Sequence, residues 1–205
     1  MARDTQSIVK RSRREGYALH PKAHKALVKR TNPPGQTSSN HFRKKSSQYS
    51  LQLREKQKVK RLYGLLERQF SKLMKQASRS RGQSGQVLLQ MLESRADNVV
   101  YRAGFAPSRR AARQLVTHGH LTINGRRLDV PSLMVQPGDE LVVCEKSRQS
   151  SYFKNLDDVS PASETTVSWL KADRKKLSVK VTAAPTREEV EPGINEQLIV
   201  EYYSR

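Results

Sequence analysis

A single cysteine, Cys144, stands among the 205 residues. That excludes an intramolecular disulfide framework and points to a reducing compartment. Together with five scattered histidines it cannot form the usual structural zinc sites. His20 and His24 lie four apart, but Pro21 interrupts any helix there and no third ligand accompanies them. No run approaches the ~20 apolar residues of a membrane span. Met1-Ala2-Arg3-Asp4 carries no apolar signal core. No GxxxxGK[ST] loop is present to cradle a nucleotide phosphate. Aromatic residues make up only 6% and the apolar set only 35%, so the core is confined to part of the chain. Acidic residues are also scarce, 19 against 39 Lys+Arg, for a net charge of +20.

That charge is not spread evenly. Residues 1–90 hold 22 basic and 4 acidic side chains. Residues 91–148 hold 9 and 6, and residues 149–205 hold 8 and 9. A block so basic repels itself and implies a polyanionic partner. Nucleic acid, an anionic membrane surface and an acidic protein are the candidates.

Residues 1–48 are polar, basic and without apolar periodicity, and Pro33-Pro34 forbids helix locally. They are expected to be a basic arm that orders on RNA. Val59, Leu62, Leu66, Phe70, Leu73 and Ala77 predict one amphipathic helix over 50–77. Arg54, Lys56, Lys58, Lys60, Arg61, Arg68 and Lys72 lie opposite. Such a helix can lie on a membrane, but other core elements follow it, so packing on the protein body is expected. After the polar linker 78–86, Leu88, Leu92, Ala96, Val99 and Ala103 predict a second helix to about residue 103. Gly104 punctuates. Ser108 caps a third helix, which Gly119 closes.

The pattern then changes from helix to strand. Leu121 and Ile123 alternate, Asn124-Gly125 is a two-residue hairpin signal, and Arg126-Arg127-Leu128 returns. Glu140–Cys144 reads as a further strand, as do Leu177–Ala183 and the alternation Leu198, Val200, Tyr202. Residues 148–165 read as a loop. Trp169 is expected to anchor the C-terminal part of this module, and Cys144 to be a small core residue.

The third helix sets Arg109 and Arg113 one turn apart, with Arg110 and Gln114 beside them, and His118 and His120 at its end. Arg126 and Arg127 follow the hairpin turn. Guanidinium groups match phosphate bidentately and keep their charge. With few aromatics nearby, recognition of RNA shape and backbone fits better than base stacking there. Arg127-Leu128-Asp129 is similar to the short catalytic motif of pseudouridine synthases, but no catalytic domain surrounds it and no enzyme is expected.

Ser94–Phe105, Ser108-Arg109, Ala112–Val116, His118-Gly119-His120, Ile123-Asn124-Gly125 and Pro137-Gly138-Asp139 resemble the small αL RNA-binding module named after ribosomal protein S-four. Pro33–Gln36, Tyr49, Leu51–Lys58, Tyr63-Gly64, Glu67–Phe70, Ser168-Trp169-Leu170 and Ile194–Arg205 resemble that bacterial-type ribosomal protein family along the rest of its length. The N-terminal cysteine cluster of some relatives is missing, and Thr37-Ser38 stands in place of the usual His-Gly.

The resemblance implies an α+β fold: a helical N-terminal domain with a basic arm, plus an αL-type module of two helices packed on a small antiparallel sheet. The expected domains are 1–48 (arm), 49–90 (helical, joined by 186–205) and 91–185 (module with C-terminal extension). It implies a structural protein of the small ribosomal subunit, binding a multi-helix junction in the 5′ region of small-subunit ribosomal RNA. Nucleation of subunit assembly, a contribution to decoding accuracy, neighbours S-five and S-twelve, and repression of its own messenger RNA are implied too. A stand-alone ribosome-associated stress factor is the alternative.

The residues expected to contact RNA are Lys44, Lys45, Tyr49, Arg54, Lys56, Lys58, Arg61, Arg95, Ser108, Arg109, Arg110, Arg113, Gln114, His118, His120, Asn124, Arg126 and Arg127. The basic face of 44–72 and the Arg109/Arg113 face are expected to neutralise phosphates crowded where RNA helices meet. No cofactor, metal, membrane or homo-oligomer is expected. The expected place is the bacterial cytoplasm, with an organellar ribosome as the alternative.

Overall fold

A computed structural model describes residues 5–30, 32–35, 47–161 and 167–204. The chain forms two compact units, Met1–Val87 with Gly193–Arg205, and Leu88–Pro192. These boundaries fall three residues before the expected 90/91 and seven after the expected 185/186.

In the first unit, residues 5–30 are not an unstructured arm. They form helices α1 (Ile8–Glu15) and α2 (Pro21–Lys29). Few apolar residues suffice because the turn between them is held by polar contacts. Ser12 Oγ donates to Ile8 O at 2.9 Å and accepts from Leu19 N at 3.2 Å. His20 Nδ1 accepts from Lys22 N at 3.0 Å and so caps α2, with Pro21 at its first position. Leu19 and Ala23 are buried beneath.

The expected single helix over 50–77 is two, α3 (Gln48–Leu62) and α4 (Glu67–Arg79). Gly64 N donates to Arg61 O and Leu65 N to Lys60 O, the paired bonds that end a helix at a left-handed residue. The apolar periodicity survives the break: Leu62, Leu65, Phe70 and Leu73 are all buried. Helix α5 (Ser84–Glu93) spans the boundary between the units. The C-terminal segment is a helix (Glu196–Tyr203), not the strand that alternation predicts. Ile199 is fully buried while Leu198 and Val200 are only half-buried, the reverse of the alternation, and Asn195 Oδ1 caps the helix by accepting from Gln197 N at 3.1 Å. This helix packs along α3.

In the second unit, α6 (Ala96–Arg102) and α7 (Arg109–Thr117) pack together. The expected helix to residue 103 breaks at Ser94-Arg95, where the chain is clamped by the 131–135 loop: Ala96 N donates to Leu133 O and Val135 N to Ser94 O, each at 2.8 Å. Both helices end at a left-handed glycine, Gly104 and Gly119. Strands β1 (Leu121–Ile123), β2 (Arg126–Leu128), β3 (Glu140–Val143), β4 (Leu170–Asp173) and β5 (Ser178–Val181) make one antiparallel sheet, ordered β2-β1-β3-β5-β4. Asn124 and Gly125 take φ 48° and 79°, as a two-residue turn of this hand requires.

Val99, Val100, Phe105, Ala112, Val116, Leu121, Leu141, Val179 and Trp169 form the shared core of helices and sheet. The region 148–165 is less loop-like than its composition suggests. Three four-residue helices, α8 (Glu145–Arg148), α9 (Ser151–Lys154) and α10 (Leu156–Val159), lie in or beside it. With these the C-terminal helix is α11. Cys144 is half-buried, its Sγ 3.6 Å from Gly119 O.

Candidate nucleic-acid interface

Nine cations lie on α1 and α3, yet the five on α3 are held by carboxylates of the same unit. The Glu15 side chain is fully buried and accepts from both Arg54, at 3.2 Å, and Arg61. Burial holds the Glu15 carboxyl above its usual range against the pull of the two guanidinium groups. Lys58 binds Glu55 at 2.8 Å and Gly193 O at 2.6 Å. Lys56, expected to contact RNA, is only 4% exposed. It donates to Glu67 at 2.9 Å and lies 4.5 Å from the Tyr202 ring centre.

Glu67 also accepts from Lys60 Nζ and from the Tyr203 hydroxyl, each at 2.7 Å. Burial opposes its ionisation, but these hydrogen bonds outweigh it and bring the carboxyl down to about 2. Burial and then the bond to Glu67 push the Tyr203 phenol up. Much of the basic face of α3 is therefore a scaffold of internal ion pairs.

The uncompensated charge lies one helix further on. Arg68, Lys72, Lys75 and Arg79 recur at steps of four, three and four along α4, on one face. All four are exposed, and none has an ion-pair partner among the described residues. Phe70, Leu73, Met74 and Ala77 bury the opposite face. Arg68 and Lys72 belong to the basic 44–72 face expected to meet phosphate, though neither was named as a contact residue; Lys75 and Arg79, which extend the stripe, were not expected. The spacing was the available signal.

The second unit repeats this division of labour. Asp97 is buried and takes two arginines: Arg95 at 3.1 and 3.0 Å, and Arg113 at 2.9 and 2.7 Å. Arg95, also expected to contact RNA, is itself 4% exposed and donates to Pro131 O of the 131–135 loop. Beside this triad, buried Glu93 accepts from Asn98 and Arg102. Arg109 donates to Asn98 Oδ1 at 2.8 Å and to Glu191 at 3.0 Å, and its guanidinium lies 4.6 Å from the Tyr101 ring centre. Arg109 and Arg113 thus fix α7 against α6. Ser108 Oγ caps α7 by accepting from Ala111 N. Asn124 ties the hairpin to β3, donating to Asp139 and accepting from Glu140 N.

Outward from these contacts, Arg110, Gln114 and His118 are exposed at successive turns of α7. Arg126 and Arg127 are exposed on β2. A groove of about 600 Å³ opens between the α7 terminus, the hairpin and α8, lined by His118, His120, Arg127, Lys146 and Arg148 among others. His120 Nδ1 is 2.9 Å from Ser147 Oγ, and the two imidazoles are 6.0 Å apart. Arg127 crosses Gly119 so closely that a Cβ there would lie 2.7 Å from its Nε. Lys146 and Arg148 were not among the expected contacts; their place beside the groove depends on β3 pairing with β1, which local sequence does not disclose. Asp129, the residue of the pseudouridine-synthase-like tripeptide, is exposed just beyond β2. Lys44 and Lys45 lie outside the described residues.

The sequence model of the family described as "Ribosomal protein S4/S9 N-terminal domain" matches residues 3–93, and that of the "S4 domain" matches residues 94–141. The chain is 49% identical over 206 residues to a small ribosomal subunit protein uS4 of Roseiflexus sp. (strain RS-1), with all of both chains covered. It is 50% identical over 206 residues to that of Chloroflexus aurantiacus and 50% over 211 residues to that of Clostridioides difficile (strain 630), again over all of each chain. The chain belongs to the uS4 family. Its fold is the one expected of that family, a helical N-terminal part and an S4 domain with a small antiparallel sheet. The boundary between the two uS4 matches, at 93/94, falls where α5 ends and the buried arginine–carboxylate cluster begins.

Proposed function

We propose that this chain is a structural, non-catalytic constituent of the small ribosomal subunit that binds small-subunit ribosomal RNA. One observation carries the reading. Acidic side chains neutralise the cations nearest the core, while the cations of the α4 stripe and of the α7–hairpin groove point outward without acidic partners enough to offset them. A surface sorted in this way is built for phosphate. The full-length uS4 relatives bear the name of a small-subunit protein, which supports the same place for this chain.

The finer reading follows the family. The RNA site is a multi-helix junction in the 5′ region, whose occupation nucleates the subunit body. The chain would sit beside S-five and S-twelve in a cytoplasmic ribosome, contribute to decoding accuracy and bind its own messenger RNA. Each unit contributes cations in fixed positions, so crowded phosphates are neutralised at set places and the junction keeps one shape. Phosphate contacts position the protein, and RNA shape supplies most of the selectivity.

Two measurements test this. Small subunits purified through a high-salt wash should retain the protein; a stand-alone stress factor would wash away. Chemical footprinting of naked small-subunit RNA should show protection clustered around one junction in the 5′ region. Protection scattered along the molecule would contradict the reading.

A further inference from the structure

Tyr49 is 48% exposed, the one exposed Phe, Tyr or Trp ring among the described residues. It stands in the first turn of α3, beside Leu51, which is 44% exposed. An isolated exposed ring needs no explanation, but this one is not isolated. Its centroid lies 5.8 Å from that of Tyr202, with the planes 31° apart. Tyr202 meets Tyr203 edge to face at 5.3 Å, and Tyr203 meets Phe70 at 6.2 Å. Phe70 is fully buried. The Tyr203 hydroxyl is fixed on Glu67 at 2.7 Å, and the Lys56 ammonium sits 4.5 Å from the Tyr202 ring centre. A continuous ladder of rings thus runs from the core of the first unit to its surface and ends at Tyr49.

We propose that Tyr49, backed by Tyr202, is a stacking seat for one unpaired base of the bound RNA. The inference rests on the RNA-binding reading above and adds the chemical group that this residue takes. Three features argue for a base over an apolar protein segment. The unit that carries the ring holds 23 basic and 6 acidic side chains, so the partner it draws is a polyanion. Every base offers a flat π-face to a single ring, whereas a protein partner would need a broader apolar patch. The ladder also holds Tyr49 in place before binding, so little side-chain freedom is lost when a base lands on it. The seat adds a local, sequence-tolerant contact to recognition that is otherwise of shape and phosphate.

The test uses the full chain and a transcript of the 5′ region of small-subunit ribosomal RNA, with affinity measured across a series of KCl concentrations for wild type, Tyr49→Leu and Tyr49→Phe. Stacking of one base corresponds to roughly a five- to 160-fold change in affinity. The expected result is a loss of about tenfold for Tyr49→Leu at every salt concentration, because stacking releases no counterion. Tyr49→Phe should bind within about twofold of wild type.

Wild-type affinity in Tyr49→Leu overturns the proposal. So does an equal loss in Tyr49→Phe, which would make the hydroxyl the contact, or a flattened salt slope, which would make it a phosphate contact. A second readout needs no variant: wild-type protein bound to the same transcript carrying 4-thiouridine should crosslink through the peptide containing Tyr49. Crosslinks elsewhere only would overturn the seat. Failure of the wild type to bind the transcript at all would instead overturn the RNA reading beneath it.

Discussion

Arg113 donates through both Nε and Nη2 to a single oxygen of Asp97, at 2.9 and 2.7 Å, while Arg95 grips the same carboxylate from the other side. An arginine so placed acts on RNA through the helix it holds. Arg113→Ala should lower the melting temperature of the second unit and weaken RNA binding together, with the salt slope unchanged. A flattened slope would mean that the guanidinium leaves Asp97 for a phosphate. Asp97→Ala should be more severe, since it leaves Arg95 buried and unpaired. Losses of about 3–5 kcal/mol are typical when one partner of a buried pair is removed, and calorimetry of the variant checks this.

The α4 stripe should behave in the opposite way. Replacing Arg68, Lys72, Lys75 and Arg79 by Gln touches no ion pair among the described residues and no buried side chain. Thermal stability should hold within about 0.5 kcal/mol per site, as for other surface changes. Affinity for ribosomal RNA should fall, and each cation that neutralises a phosphate should remove up to ~0.9 from the salt slope. Filter binding at several salt concentrations measures both. An unchanged slope would show that the stripe faces away from the RNA.

Glu67 makes a pH prediction. Its carboxyl is held at about 2 in the folded chain, against an ordinary 4.5. On acidification the unfolded chain therefore takes up this proton first. The stabilisation is fully present above about pH 4.5 and is lost as the pH falls towards 2. Glu67 is 47% exposed, so solvent screening reduces the effect to about 1 kcal/mol. The buried Glu15 works the other way, because its raised carboxyl favours the protonated form on folding. Acid unfolding of Glu67→Gln compared with wild type isolates the one group. The variant should be less stable at neutral pH, and the difference should vanish near pH 2.

Gly119 joins stability to binding at one atom. Its φ is 71°, and a Cβ would meet the Arg127 guanidinium at 2.7 Å. Gly119→Ala should cost about 1–3 kcal/mol of stability through backbone strain and should weaken RNA binding by displacing Arg127. Gly125→Ala is the control, since its φ is also positive but nothing lies within 4 Å of its added Cβ. It should lose stability with little change in binding. Equal losses of affinity in both would remove Arg127 from the interface.

What sequence discloses here divides by range. The α7 cap at Ser108, the glycine terminators and the Asn124-Gly125 hairpin are local, and each forms where its residues stand in sequence. Trp169 is buried in the core as its anchoring role requires. The α3–α4 break was hidden because buried apolar residues recur at helical spacing on both sides of it. Helix α11 was hidden because a short run with Leu198, Val200 and Tyr202 fits either period, and packing along α3 decides between them. The roles of the arginines were the least legible. Arg109 and Arg113 look alike in sequence to Arg110, yet one is bound to Glu191, 82 positions away, and another to Asp97 on the preceding helix. A list of cations marks the basic surface; only their carboxylates tell which of them face outward.

The central claim is that outward cations in fixed positions hold a branched RNA in one shape. Its most direct test is competition between a junction-containing transcript from the 5′ region of small-subunit ribosomal RNA and a plain RNA duplex of equal length, at near-physiological salt. The account predicts that the wild-type chain favours the junction strongly and that the Gln-substituted α4 stripe loses most of its junction binding. Equal affinity for junction and duplex would contradict it.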